Sequence, residues 1–284
     1  MAISSTRRGP VQKLTKEIIK TVLSLHFCTN HPSPSVMARA IRDRAWTGIP
    51  PEITPAIVER VFAHQICYYC AIGKVHHWTP GPGSGAPWPS IGYAVSIDYV
   101  PVSKRAFGGF NAMFLIRELR VGLLIVHLTR DKTTFPSVVY KLRLYFLQYG
   151  LALRVIFTDS GGVEVSQKTR DMLNIHEIQI HPSPPEQQNQ NPVERSVQTL
   201  NYGISTIMAA QQFLPDEAWG LAALSYVDTA NATPNSLSGE ESPLYLITGR
   251  KPHLPTMFKY SFGQPVICPR LLQDRLTTQF RCRF

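Results

Sequence analysis

The chain has 284 residues, of which 44% are hydrophobic and 17% are charged, and this composition excludes a disordered chain and a very small domain. Its formal net charge of +10 is concentrated at the ends, since residues 1–20 hold five Lys or Arg against one Glu and residues 250–284 hold seven against one Asp. Basic ends favour a polyanion such as DNA as partner, and solvated basic tails are the common alternative.

No apolar run approaches the roughly 18 residues of a membrane span, and residues 1–10 lack the apolar core of a signal peptide. We therefore expect an intracellular protein that does not cross a membrane. An odd number of cysteines, five in total, favours reduced thiols or a metal over a disulfide framework.

The first part of the chain predicts two helices and a metal site. Apolar residues at helical spacing predict a helix over 11–25, and Thr54 and Pro55 suit the start of a second helix over 54–64. Four candidate ligands accompany them: His26, His31, Cys67 and Cys70. Two imidazoles and two thiolates complete a tetrahedral zinc site, for which Cys28 and His64 are alternative ligands.

The Pro and Gly content of residues 76–90 predicts a linker. It divides the chain into a helical zinc-binding domain (1–75), a catalytic core (91–250) and a basic tail (251–284), which we expect to be truncated. Within the core, the pattern predicts strands at 93–100, 112–117, 121–128, 153–158 and 176–180 and helices at 137–149, 192–211 and 215–230, with a helix or turn between the last two strands. This order is typical of a ribonuclease-H-like α/β fold, with a mixed five-stranded sheet and helices on both faces.

Three acidic residues stand at the ends of predicted elements. Asp98 and Asp159 end apolar strands, and Glu194 follows Asn191-Pro192 in a first helical turn. Asp159, which precedes two glycines, also suits an ordinary turn, and Glu194 also suits a capping box. Three carboxylates at element ends make a metal site plausible.

These residues resemble the Asp, Asp, Glu triad of retroviral and retrotransposon integrases, and most closely the copia-type LTR-retrotransposon branch. The resemblance rests on Asp98, Thr-Asp-Ser-Gly-Gly around Asp159 and Gln-Asn-Pro-Val-Glu-Arg around Glu194, and the zinc motif resembles the amino-terminal domain of the same family. This sequence departs from the pattern in Pro192, where many members have Gly, in a second gap one residue shorter than usual, and in Val163, which separates Gly162 from Glu164.

The resemblance implies an integrase that transfers the 3′ ends of element cDNA into target DNA. It implies that Asp98, Asp159 and Glu194 bind two Mg²⁺ or Mn²⁺ ions, that one zinc ion is structural, and that the protein forms a homo-oligomer and acts in the nucleus and in cytoplasmic virus-like particles. The candidate DNA contacts are Arg195, Gln198, Asn201 and Lys74, for which a solvated polar surface is the alternative. Residues 187–191 would form a loop over the active site.

Two other functions remain open. An inactive or domesticated relic would bind DNA or assemble without turnover, and a ribonuclease-H-like nuclease would release nicked DNA without joining it. The three acids in place argue against the relic, and the zinc motif argues against a simple nuclease.

Overall fold

The structure is a computed structural model that describes residues 14–73, 88–159, 167–183, 192–211, 213–258 and 261–264. The helices of this part are α1 (Lys16–Cys28), α2 (Pro34–Arg42), α3 (Pro55–His64), α4 (Tyr68–Gly73), α5 (Phe135–Leu147), α6 (Gln167–Ile175), α7 (Pro192–Ala210), α8 (Trp219–Ala232), α9 (Pro243–Thr248) and α10 (Leu254–Met257). Its strands are β1 (Ala94–Pro101), β2 (Ala112–Glu118), β3 (Leu124–Thr129), β4 (Val155–Asp159) and β5 (Gln179–Ser183).

The strands form one mixed sheet in the order β3-β2-β1-β4-β5. β2 runs antiparallel to both β1 and β3, whereas β4 runs parallel to both β1 and β5. The parallel strands are connected through helices, as a crossover requires. The segment between the last two strands, for which the sequence predicts a helix or turn, forms α6. The predicted ribonuclease-H-like fold class is confirmed, with a small helical unit ahead of the sheet.

Several element boundaries differ from the prediction. β3 begins three residues late, because Gly122 has a φ of 75° in a tight turn that the Glu118 N–H closes by donating to the Leu123 carbonyl (2.8 Å). β5 also begins three residues late, because the Ile178 N–H donates to the Leu173 carbonyl (2.9 Å) and so prolongs the end of α6. α8 begins four residues late, after a short 3₁₀ turn.

The two faces of the sheet carry separate hydrophobic clusters. On one face, Val95 and Ile97 of β1 pack with buried residues of α5 and α6. On the other face, Leu115 of β2 packs with Val193 of α7 and Trp219 of α8. Helices therefore cover both faces, and α7 and α8 share the face opposite α5.

A third hydrophobic cluster holds α1, α2 and α3 together, with Val22, Met37 and Val58 fully buried. All three helices start at a hydroxyl side chain that accepts a hydrogen bond from the N–H three residues on: Thr15, Ser33 and Thr54. The cap predicted at the start of α3 is therefore present, whereas the sequence did not predict α2 or α4.

The helical unit contacts the core directly. The Trp46 indole donates to the Ala232 carbonyl (2.8 Å), and Arg39 donates to the Pro234 carbonyl (2.7 Å). Leu254 of α10 lies in the hydrophobic cluster of the helical unit, although it follows the core in sequence.

The predicted domain limits stay a prediction. Residues 76–87 of the linker and residues 259–260 and 265–284 of the basic tail lie outside the described residues. Among the helices that are described, none combines the length and apolar character needed to span a bilayer.

Candidate metal centres

The turn at the end of α1 brings the two predicted histidine ligands together. His26 lies in the last turn of the helix, and Asn30 and His31 follow it with left-handed φ values of 54° and 60°. The Asn30 N–H donates to the Phe27 carbonyl (3.2 Å) and the His31 N–H donates to the His26 carbonyl (2.8 Å). These two hydrogen bonds form a helix C-cap, which turns the chain back over the last helical turn. His31 Nδ1 consequently lies 3.2 Å from His26 Nε2.

The four predicted zinc ligands form one compact group, with all ligand atoms within 4.8 Å of one another. Cys70 Sγ is 3.4 Å from His26 Nε2 and 3.7 Å from His31 Nδ1, and Cys67 Sγ is 3.4 Å from His31 Nδ1. A tetrahedral zinc with Zn–N near 2.05 Å and Zn–S near 2.3 Å has edges of about 3.3 Å between nitrogens and about 3.5 Å between nitrogen and sulfur. Four of the six distances between donor atoms, 3.2, 3.4, 3.4 and 3.7 Å, are therefore close to the edges of a tetrahedral zinc site.

The alternative ligands lie outside this group. Cys28 Sγ is 3.6 Å from the hydroxyl of Ser261, and His64 is exposed at the end of α3. The histidines of the group are buried, with exposed fractions of 1% for His26 and 3% for His31. Four protein donors leave no open position for a substrate, so the centre suits a structural zinc.

The turn between the histidines is also anchored to the core. Asn30 Nδ2 lies 2.8 Å from the Ser225 carbonyl, 2.9 Å from the Ser225 hydroxyl and 2.8 Å from the Thr229 hydroxyl. All three acceptors belong to α8. Asn30, one of the four residues between the two histidines, therefore connects the His-His-Cys-Cys group to a helix that packs on the sheet.

Two of the three predicted acids occupy neighbouring positions in the sheet. In the parallel pair of β1 and β4, Ile97 lies opposite Thr158, and Asp98 and Asp159 are the next residue on each strand. Because neighbouring strands lie about 4.8 Å apart, these two backbone positions are adjacent. Asp98 is half-buried, and the side chain of Asp159 lies outside the described part of the structure.

The third acid lies on the helix that covers this part of the sheet. Asp98 pairs with Leu115, which packs against Val193 of α7, whereas Ile97 belongs to the cluster on the opposite face. Glu194 follows Val193 in the first turn of α7, and its side chain is exposed. Asp98 and Glu194 are thus carried by elements that pack together on the same face.

The predicted DNA-contacting residues of α7 are all exposed: Arg195, Gln198 and Asn201. Their roles stay predictions. Lys74, the loop 187–191, Gly162, Val163 and Glu164 lie outside the described residues, as does Asn191 of the alternative capping box.

Arg117 lies between β2 and the first turn of α7, near the predicted acids, and the sequence did not identify it. It is two residues after Leu115 on β2, and its Nη1 donates to the hydroxyl of Ser196 in the first turn of α7 (3.0 Å). Burial lowers the pKa of Arg117, the cationic Arg195 lowers it further, and the carboxylate of Glu118 acts in the opposite direction. The sequence offered one signal for Arg117, since it is a charged residue at an inward position of a predicted strand.

Glu118 is also an acidic residue at the end of a strand, but its role is structural. Its exposed fraction is 1%, and its carboxylate accepts hydrogen bonds from the N–H groups of Gly92 (3.0 Å), Arg120 (3.0 Å) and Val121 (2.7 Å). These bonds tie the β2–β3 turn to the entry of β1. A strand-end position alone therefore does not identify a metal ligand.

No protein-family model matches the chain, and no curated protein matches it. Among solved structures, it is similar to a chain of the simian T-cell lymphotropic virus intasome in complex with PP2A regulatory subunit B56 gamma, at 14% identity and a TM-score of 0.48, over 70% of this chain and 68% of that chain. It is also similar to the HTLV-2 integrase catalytic core domain in complex with magnesium, at 13% identity and a TM-score of 0.41, over 55% of this chain and 96% of that chain.

Proposed function

We propose that the chain is an integrase of the copia-type LTR-retrotransposon branch, which joins the 3′-hydroxyl ends of element DNA to phosphates of target DNA. The observation that carries the proposal is the adjacency of Asp98 and Asp159 on neighbouring strands, together with Glu194 on the helix that packs over the same face. The His-His-Cys-Cys centre ahead of the core is a second support, because a nuclease of this fold needs no such unit.

The three acids suit a pair of hard divalent cations. Mg²⁺ and Mn²⁺ prefer oxygen ligands, and carboxylates on rigid strands and helices hold them at short range. In this proposal Asp98, Asp159 and Glu194 would together hold the cations. When bound, such cations make the attacking hydroxyl more acidic and stabilise charge on the departing oxygen.

The protein supplies the positions of the reacting groups. β1 and β4 fix two acids through a parallel ladder, and α7 fixes the third by packing on the sheet. Arg195, Gln198 and Asn201 share the exposed side of α7 with Glu194, so they are suited to contact the phosphates of the DNA end. These contacts orient the 3′-hydroxyl without reading sequence.

The zinc ion has a structural role in this proposal. In zinc-finger peptides such a site contributes about 10 kcal/mol to folding, and a comparable contribution here would order α1, α4 and the turn that follows α1. The protein would act on DNA in the nucleus as a homo-oligomer, because concerted joining of two DNA ends needs two active sites.

A strand-transfer assay tests the proposal. The zinc-loaded full chain is incubated with Mg²⁺, a short labelled duplex with a free 3′-hydroxyl and a target plasmid. We expect joined products longer than the substrate, and we expect Asp159→Asn to abolish them. Asp171→Asn is the matched control, because this acid lies on α6, on the other face of the sheet, and accepts a hydrogen bond only from its helical neighbour Gln167 among the described contacts (2.8 Å).

The products separate the proposal from its alternatives. Nicked target with no joined DNA would identify a nuclease of the same fold. Binding of DNA with neither product would identify an inactive relic, and in both cases the integrase proposal fails.

A further inference from the structure

The first turn of α7 has two attachments to the sheet, and they lie on either side of Glu194. Val193 is completely buried in the cluster that contains Leu115, and the hydroxyl of Ser196, with an exposed fraction of 7%, accepts the hydrogen bond from Arg117. Because a helix turns 100° per residue, fixing positions 193 and 196 fixes the direction in which Glu194 leaves the helix.

Arg117 is placed by the sheet to make this contact. In the antiparallel pair of β1 and β2, Arg117 lies opposite Ser96 and Leu115 lies opposite Asp98. Side chains two residues apart on a strand share a face, so Arg117 stands on the face that α7 covers, one pleat from Asp98. It thus joins the strand that pairs with Asp98 to the helical turn that carries Glu194.

The surroundings of Arg117 include a second cation, a carboxylate and a hydroxyl. Its guanidinium is half-buried, lies near a second cation, Arg195, and donates a hydrogen bond to the neutral hydroxyl of Ser196. The adjacent Glu118 directs its carboxylate to backbone N–H groups of the β2–β3 turn and of Gly92.

We propose that Arg117 is a positioning residue that sets the rotation of the first turn of α7 through Ser196, and thereby holds Glu194 at the distance from Asp98 that the two cations require. This inference rests on the proposed function. The tolerance is narrow, since a helix rotation of about 10° moves a carboxylate about 6 Å from the helix axis by about 1 Å. A displacement of that size can cost about 100-fold in rate.

The test compares four zinc-loaded variants of the full chain: Arg117→Met, Arg117→Lys, Ser196→Ala and Arg130→Met. The last is the matched control, because Arg130 is an exposed arginine that donates to the Gly108 carbonyl (3.1 Å), away from α7. Two measurements do not depend on activity: the dissociation constant of Mn²⁺ by calorimetry, and amide hydrogen exchange over residues 194–198.

We expect Arg117→Met and Ser196→Ala to weaken Mn²⁺ binding by about 10- to 100-fold, the range seen when a residue that orients a metal ligand is removed. Exchange over residues 194–198 should become faster, while exchange in β1 and β4 should not change. In the joining assay, kcat should fall by at least about tenfold with little change in KM for DNA. Arg117→Lys should recover part of the Mn²⁺ affinity, and the Met/Ala double variant should be no worse than Arg117→Met, because both remove the same bond.

The outcomes distinguish the inference from the proposed function. If the wild type binds Mn²⁺ and joins DNA, and Arg117→Met and Ser196→Ala both bind Mn²⁺ as tightly, the positioning role is overturned and the proposed function stands. If the wild type neither binds Mn²⁺ nor joins DNA, the proposed function fails, and the inference that rests on it fails as well. Should Arg117→Met not fold, Ser196→Ala alone decides, because it keeps the cation and removes only the acceptor.

Discussion

Asn30 offers a sharp test of how the zinc site is connected to the core. Its side-chain nitrogen has two hydrogens and three acceptors within 2.9 Å, all on α8. Replacing it with glycine removes these bonds without straining the backbone, because its φ of 54° lies in the region that glycine adopts freely.

The expected loss follows from the number of hydrogen bonds that can form together. Two hydrogens make two bonds at a time, and at about 1 kcal/mol each the Asn30→Gly variant should lose about 2 kcal/mol of unfolding free energy. For a chain of this size that corresponds to a Tm lower by about 4–8 °C. The helical unit should also separate from the core more readily, and hydrogen exchange in α1 should rise more than exchange in β1 and β2.

Calorimetry of the zinc-loaded protein measures this loss, with Arg44→Gly as the control. Arg44 also has a left-handed φ, of 52°, and an exposed side chain, so glycine there should leave stability unchanged or raise it slightly. Should Asn30→Gly melt at the wild-type temperature while retaining its zinc, the hydrogen bonds to α8 do not couple the two units, and the reasoning is refuted.

Asp98 and Asp159 stand out in the sequence because apolar runs end at them. Val95 to Ile97 and Val155 to Phe157 indicate buried strands from composition alone, and a carboxylate at each strand end stands out against such a run. Their adjacency could not be predicted from either strand alone, because it depends on the parallel register of β1 and β4. Both strands also pack against residues of α5 and α6, which are distant in sequence from β1.

The zinc ligands illustrate the same division. The sequence supplied a set of six candidates, and the choice among them came from the C-cap after α1, which turns His31 towards His26 and leaves Cys28 facing Ser261. Asn and His adopt left-handed φ values more often than most residues, but this preference does not predict two such residues in succession. Arg117 was missed for a related reason, since its partner Ser196 is 79 residues away and only the packing of α7 on β2 brings them together.

Two further predictions concern the candidate zinc site and the contact between α7 and α8. Cys67→Ser should lower the zinc content measured by elemental analysis and destabilise α1 and α4, because one thiolate of the tetrahedral set is lost; full retention of zinc would show that another residue completes the site. Gly203→Ala should destabilise the protein by about 1–3 kcal/mol, because a Cβ at this position of α7 would lie 2.2 Å from the ring of Tyr226 on α8. The double variant with Tyr226→Leu should recover part of that loss in chemical denaturation, because the smaller side chain makes room for the methyl group. Equal losses in the single and double variants would show that the contact between α7 and α8 at this point does not limit stability.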